Sequence, residues 1–308
     1  MEAVDPTVRE MAEAWAALES AGRCKPVSPH WRRTRAGLLV HLLAAIGDVP
    51  ASQLRPRHVF EIQAYGAAQG LSAETTNKIS HNVLGGMLTA LELDEQLPFG
   101  ARDRVLRRVP KLRRERASSG RALTDEERDR VLKAFRGHWA GPLVHFLLLT
   151  GVRIGEACGL RQGDIDWGRR VCRIQRSRRG NEISATKSLN SQRTFILPHA
   201  AVAAIAPLRR DDPNAFLFLG KRGYPINADS FRNRTWGPKI KRIGLEGFRI
   251  HDCRHTLATA LFEDGEAPAR IAKLLGNSVS VAERLYNHVE IGDRVAARVA
   301  TPGLKAVR

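Results

Sequence analysis

The sequence predicts a mostly α-helical protein with a small antiparallel three-stranded β-sheet, divided into a helical unit and a mixed unit joined by a basic linker. Three observations carry this. Through the first hundred residues apolar side chains recur at helical spacing, with no alternating strand pattern. A cationic, proline-containing run then breaks the texture near residues 104–121. Beyond it, short β-like runs stand between longer helical stretches. A chain of 308 residues is long enough for two moderate domains, each with its own core.

Taken in order, "PTVREMAEAWAAL" sets Val8, Met11, Trp15 and Leu18 on one stripe. Ser28 is placed to cap a second helix closing at Gly47, Pro56 to open a third, and Ser72 to cap a fourth running to about Leu93. Residues 1–110 are therefore expected to form the helical unit. From Arg104 to Arg121, "RVLRRVPKLRRERASSGR" holds eight basic residues and one acidic one, which reads as a flexible cationic linker centred on residues 111–121. The second unit, 122–308, opens with a capping box at Thr124 and Glu127 and an apolar helix, "GPLVHFLLLTG". The runs "RRVCRIQ", "EISATK" and "RTFILP", separated by "RSRRGN" and "SLNSQ", are expected to pair as the three-stranded sheet. After Pro198 the pattern is helical nearly to the end.

Bulk charge narrows the function classes. The formal net charge is +18 and the sequence pI near 10.7, with arginine making up most of the excess. The planar guanidinium fork suits phosphate, so the partner expected is a polyanion, nucleic acid before membrane. No apolar run is long enough to span a bilayer, and "MEAVDPTVRE" lacks a charged-then-apolar leader. Four cysteines without a C-x-x-C pair give neither a zinc knuckle nor a disulfide frame, which fits a cytoplasmic protein.

A set of chemistry-bearing residues emerges from separate stretches. In "LTGVRIGEACGL", Arg153 follows a helix-ending glycine and precedes a new helical stripe. Lys187 falls at the expected turn between the second and third strands, and His251 and Arg254, three apart, share a helix face. Tyr286, one of three tyrosines, lies nine residues after Asn277. Each has a plainer reading: Arg153 paired with Glu156, Lys187 as a surface lysine, Tyr286 as a packing aromatic, Asn277 as a turn cap. His251 and His255 have the i, i+4 spacing of a zinc helix, but Asp252 stands where such a motif has Glu and Arg254 would repel a cation, so no metal is expected.

As an ordered set, these stretches resemble the tyrosine recombinase (phage integrase) family over about residues 120–290. Its T-G-x-R-x-G-E turn matches Thr150–Glu156. Its H-x-L-R-H-[TS] box matches His251–Thr256 with Cys253 in the Leu slot. Its L-G-H turn, followed nine residues later by the nucleophile, matches Leu275–Asn277 and Tyr286, with Asn in place of His; position 277 lies 23 residues beyond Arg254, as the pattern requires.

The resemblance implies a two-domain clamp, a helical SAM-like core-binding domain followed by a catalytic domain. It implies a site-specific recombinase or integrase that needs neither metal nor ATP. Arg153 and Arg254 would hold and neutralise the phosphodiester. Tyr286 would attack phosphorus to give a covalent 3′-phosphotyrosyl link, with His251 moving the proton. Lys187 would protonate the departing 5′-oxygen, and Asn277 would supply a shorter, neutral donor where the family usually has a ring N–H. The expected partners are double-stranded DNA carrying inverted repeats and three further copies of the chain, with the C-terminal tail exchanged between protomers; the expected place is the cytoplasm, on the nucleoid. Because the chain opens almost at the helical unit, a Xer-like or mobile-element enzyme is favoured over one with a separate arm-binding module. Two alternatives stay open: a non-catalytic DNA-binding accessory protein on the same fold, suggested by Asn277, and a type IB topoisomerase, against which the His251–Thr256 box and the helical unit argue.

Overall fold

The computed structural model describes residues 5–113, 120–185 and 192–277. The chain forms two compact units, Met1–Ala117 and Ser118–Arg308.

In the first unit, α1 (Val8–Ser20) is set by the reciprocal capping box of Thr7 and Glu10, and it buries Val8, Met11, Trp15 and Leu18, the stripe seen in the sequence. Ser28 caps α2 (Pro29–Ile46), which buries Leu38, Leu42 and Ile46. Pro56 is the first residue of α3 (Pro56–Ala68), where a missing N–H costs nothing. The expected fourth helix is one continuous run in three parts: α4 (Ala73–Asn77), a π-helical stretch (Lys78–Leu84) and α5 (Gly85–Leu93).

The basic run is less of a strap than its composition suggests. It begins inside α6 (Ala101–Leu106), and Val105, Leu106 and Val109 are buried in the helical core. Farther on, the Asn77 amide donates to the carbonyl of Leu112 and accepts its N–H, both at 2.9 Å. Every third or fourth residue of the stretch is apolar, and those residues fix it to the helices. Only its later part, 114–119, lies outside the described residues.

The second unit starts with α7 (Asp125–Phe135), held by the Thr124–Glu127 capping box. Next comes α8 (Gly141–Thr150), apolar on nearly all sides and correspondingly buried along its length. A short α9 (Ile154–Gly159) leads to strands β1 (Ile165–Asp166), β2 (Val171–Ile174), β3 (Arg176–Arg179), β4 (Glu182–Ala185) and β5 (Arg193–Ile196). The three-stranded antiparallel sheet exists, but in the order β1–β2–β5. The expected strand "EISATK" instead pairs with "RSRR" in a separate β3–β4 hairpin closed by Gly180 and Asn181. That Gly-Asn pair is a two-residue hairpin signal. The arginine-rich strand is tolerated because Arg178 is buried and donates to the carbonyls of Pro225 and Ile226.

After Pro198 the chain is not helical throughout. Between α10 (His199–Ile205) and α11 (Ala228–Phe231) a 3₁₀ turn and an irregular stretch are tied back by Leu217 N–H to the Leu160 carbonyl and by Gln162 N–H to the Ala215 carbonyl. Then a π-helical stretch (Arg232–Trp236), α12 (Gly237–Arg242), α13 (Asp252–Glu263) and α14 (Pro268–Leu275) follow. Trp236, stacked on Phe135, anchors this core and satisfies its indole N–H on the Phe248 carbonyl.

Candidate active site

Three segments far apart in sequence meet at the ends of helices: the turn after α8, the first turn of α13 and the turn after α14. Two glycines make the meeting possible. Gly151 ends α8 with φ of 60°, and a Cβ there would meet Leu275 Cδ2 at 2.7 Å and Leu257 Cδ2 at 3.1 Å, so side-chain-free, left-handed backbone is needed on both counts. Gly276 ends α14 with φ of 68°, and the Asn277 N–H returns to the Ala272 carbonyl at 2.9 Å, closing a Schellman-type turn.

Arg153 caps α9 and sits between these turns. Its Nη1 donates to Glu156 Oε1 at 2.8 Å, and its Nη2 donates to the Gly276 carbonyl at 3.0 Å and to Asn277 Oδ1 at 2.8 Å. Pairing with Glu156, the plainer reading of this arginine, thus coexists with a second contact 124 residues away. The side chain is 34% exposed, so the guanidinium keeps an open face.

Arg254 lies on α13, 4% exposed, and its Nη1 donates to the Gly151 carbonyl at 3.0 Å. Its neighbour Cys253, in the family's Leu slot, is buried, and burial pushes its thiol far up, so it behaves as a small hydrophobe. All four cysteines are free thiols.

His251 leads into α13 with an exposed edge, its ring edge-on to His255 at 5.4 Å between centroids. Partial burial, then His255, Arg254 and Arg153, depress its pKa to about 4. The imidazole is therefore neutral near pH 7, able to accept a proton. His255 is depressed as well, mainly by burial. Asp252 is committed elsewhere: it is buried and takes the Arg249 guanidinium and backbone N–H. Thr256 accepts the Leu123 N–H and donates to the Asp252 carbonyl, fastening the start of this unit to α13.

Asn277 is half-buried at the same junction. A guanidinium only donates, so the atom facing Arg153 must be the amide oxygen, and the NH₂ group is turned to the other side. The capping role is filled by Gly276 and the Asn277 backbone, leaving the side chain to the arginine. Lys187 and Tyr286 lie outside the described residues; β4 ends two residues before Lys187.

One member of the site, Arg193, escapes sequence reasoning, and Glu156 reads there only as a partner of Arg153. Glu156 is 3% exposed and joins two arginines, Arg153 through Oε1 and Arg193 through Oε2, each at 2.8 Å. Arg193, on β5, has a 6% exposed side chain. A charged residue opening a strand that continues to Phe195 and Ile196 was the available signal, but nothing local says where it points.

Two guanidiniums, a neutral imidazole and a carboxamide gathered at helix ends can hold a tetrahedral anion and pass a proton beside it. The chain belongs to the phage integrase family, whose model matches residues 121–291. Among curated relatives, a XerC-like tyrosine recombinase of Caldanaerobacter subterraneus subsp. tengcongensis is 29% identical over 195 residues, 54% of this chain but only 50% of that protein. A XerC tyrosine recombinase of Mycobacterium sp. (strain JLS) is 27% identical over 280 residues, 86% of this chain and 89% of that one. Among solved structures, the Tn1549 transposon integrase in complex with transposon right end DNA superposes with a TM-score of 0.77 at 21% identity, covering 96% of this chain and 99% of that one. A lambda integrase tetramer bound to a Holliday junction gives 0.69 at 14% identity, covering 94% and 81%. At these identities the structural likeness is one of fold.

Proposed function

We propose that this protein is a site-specific DNA recombinase that cuts and rejoins DNA through a covalent 3′-phosphotyrosyl intermediate. The observation that carries the reading is the convergence of Arg153, His251, Arg254 and Asn277 from three separated segments in a member of this family. Arg153 and Arg254 bind the scissile phosphate and stabilise the charge that builds in displacement. The Tyr286 hydroxyl attacks phosphorus, the bond to the 5′-oxygen breaks, and the new phosphodiester stores the energy for rejoining, so no nucleotide is consumed. His251, neutral near pH 7, takes the phenolic proton, and Lys187 gives one to the 5′-oxygen. Asn277 donates from its NH₂ to a non-bridging oxygen while its carbonyl steadies Arg153.

The helical unit and the basic residues that follow it grip duplex DNA bearing inverted repeats, and the active assembly is a tetramer on two sites, working in the cytoplasm on the nucleoid. The C-terminal tail seats on a neighbour. Supporting that is a cavity of about 290 Å³ lined by Thr194, Leu261, Arg270, Ile271 and Leu274. Ile196, on the same strand face as Thr194, is 66% exposed beside it.

The test is a suicide substrate nicked beside the cleavage position. An SDS-resistant protein–DNA adduct is expected from wild type and none from Tyr286→Phe. A wild type that binds its own site without ever forming the adduct overturns the assignment.

A further inference from the structure

Arg193 has no place in the chemistry described so far, yet it is an expensive residue to keep: a guanidinium on a strand, almost wholly removed from water. Its Nη2 meets Glu156 Oε2 at 2.8 Å, the oxygen that also accepts the Arg153 backbone N–H at 3.1 Å. The other oxygen, Oε1, takes Arg153 Nη1 at 2.8 Å. One buried carboxylate is thus shared by two arginines, and only one of them, Arg153, turns a partly exposed face outward.

We propose that Arg193 is a positioning residue that keeps Arg153 electrostatically available to a phosphate. Charge counting shows how. Arg153 and Glu156 alone sum to zero, and a carboxylate 2.8 Å from the guanidinium competes with any incoming anion for the same positive charge. With Arg193 the group carries one net positive charge. Glu156 is then neutralised from behind, so it orients Arg153 without cancelling it. Burial by itself would raise the Glu156 carboxyl; the hydrogen bond and charge of Arg193, then those of Arg153, hold it below the usual range, so the carboxylate stays ionised at working pH. The proposal rests on the recombinase reading for its catalytic consequence, but not for its effect on anion binding.

The experiment compares wild type, Arg193→Met, Glu156→Gln and the double variant in the full-length chain, well below each melting temperature. Two quantities are read: adduct formation on the suicide substrate at saturating DNA, and affinity for inorganic phosphate followed through the Arg153 side-chain NMR resonance. Arg193→Met is expected to slow adduct formation by about tenfold or more and to weaken phosphate binding, with duplex affinity nearly unchanged. Removing the Glu156 charge should make Arg193 dispensable: Glu156→Gln and the double variant should agree within about twofold. Should Arg193→Met not fold, that last comparison still decides. Arg193→Met with wild-type phosphate affinity overturns the proposal, as does a double variant far weaker than Glu156→Gln, which would place the role of Arg193 in strand packing. A wild type without adduct removes the recombinase reading, while the phosphate titration still decides the role of Arg193.

Discussion

The two units use burial in opposite ways. The helical unit packs Leu42, Val59, Ile62, Ile79, Val83 and Met87 at zero exposure, and among its described residues Arg35 is the single buried residue with a permanent charge. In the second unit Glu156, Asp164, Arg178, Asp252 and Arg254 are all buried, each paired with side chain or backbone. Burying charge is costly and rarely the best route to stability. Glu156 and Arg254 lie at the meeting helix ends, where burial holds functional groups in fixed positions, whereas the described core of the other unit is almost wholly apolar. The contrast teaches where a substitution should damage chemistry and where it should damage stability.

The largest expected effect tests that division at its extreme. Tyr286→Phe should abolish the covalent adduct while leaving duplex affinity nearly intact, as measured by denaturing gels alongside a binding titration. An adduct from this variant would mean that another residue attacks. Next, Arg254→Gln should lower the single-turnover cleavage rate by roughly 10²–10³-fold. Leu42→Ala, at the heart of the helical unit, should cost about 2–5 kcal/mol in chemical denaturation yet leave the folded protein's cleavage rate close to wild type. A Leu42→Ala protein that is stable but slow would break the comparison.

A milder effect concerns the basic residues between the units. Replacing Arg113, Arg114 and Arg116 with Gln should weaken binding on target and random DNA alike. The log–log salt dependence should flatten by about 0.9 for each phosphate that is no longer neutralised. Loss of target discrimination with an unchanged slope would instead make these arginines readers of bases.

Asn277 is expected to matter by only several-fold. Asn277→Ala removes a neutral hydrogen bond worth about 1 kcal/mol to the transition state and an acceptor of Arg153, so cleavage should slow while binding holds. Asn277→His should match or exceed wild type. Wild-type cleavage by Asn277→Ala would mean that this side chain does not serve the phosphate.

The gentlest prediction sharpens the comparison by acid. His138, His251 and His255 in the second unit have depressed pKa values, chiefly through burial, against His81 alone in the described part of the helical unit. A depressed histidine binds its proton more readily when unfolded, so it lowers stability as pH falls below about 6.5 and has no effect above that. Glu156, depressed too, adds stability that is lost only as pH drops through its lowered value. Between pH 6.5 and 4, hydrogen exchange should therefore rise sooner in α13 than in α2. Equal acid sensitivity would contradict the assigned protonation states.

Much of the fold is legible in the sequence because its signals are local. Ser28, Ser72 and Thr124 cap helices where the sequence places them, since a cap needs only its own first turn. The hairpin of β3 and β4 is only half legible: Gly180–Asn181 signals its turn, but four arginine-rich residues look like a solvated loop until the carbonyls that receive Arg178 are known. The start of the basic run is hidden for the same reason: composition shows charge, but not the Asn77 amide that pins Leu112.

The candidate site divides along the same line. The sequence alone determined the candidates, because motifs resembling those of the family single out Arg153, His251, Arg254 and Asn277, and because glycines at 151 and 276 mark turns that a left-handed backbone completes. What only the tertiary structure decided is how they meet. Asn277 offers its carbonyl to Arg153 across 124 residues, and Arg193 stands behind Glu156 through the pairing of β5 with β2. Such contacts leave no local trace: they are set by how helices and strands pack, and a hydrogen bond between distant side chains has neither a period nor a cap to announce it.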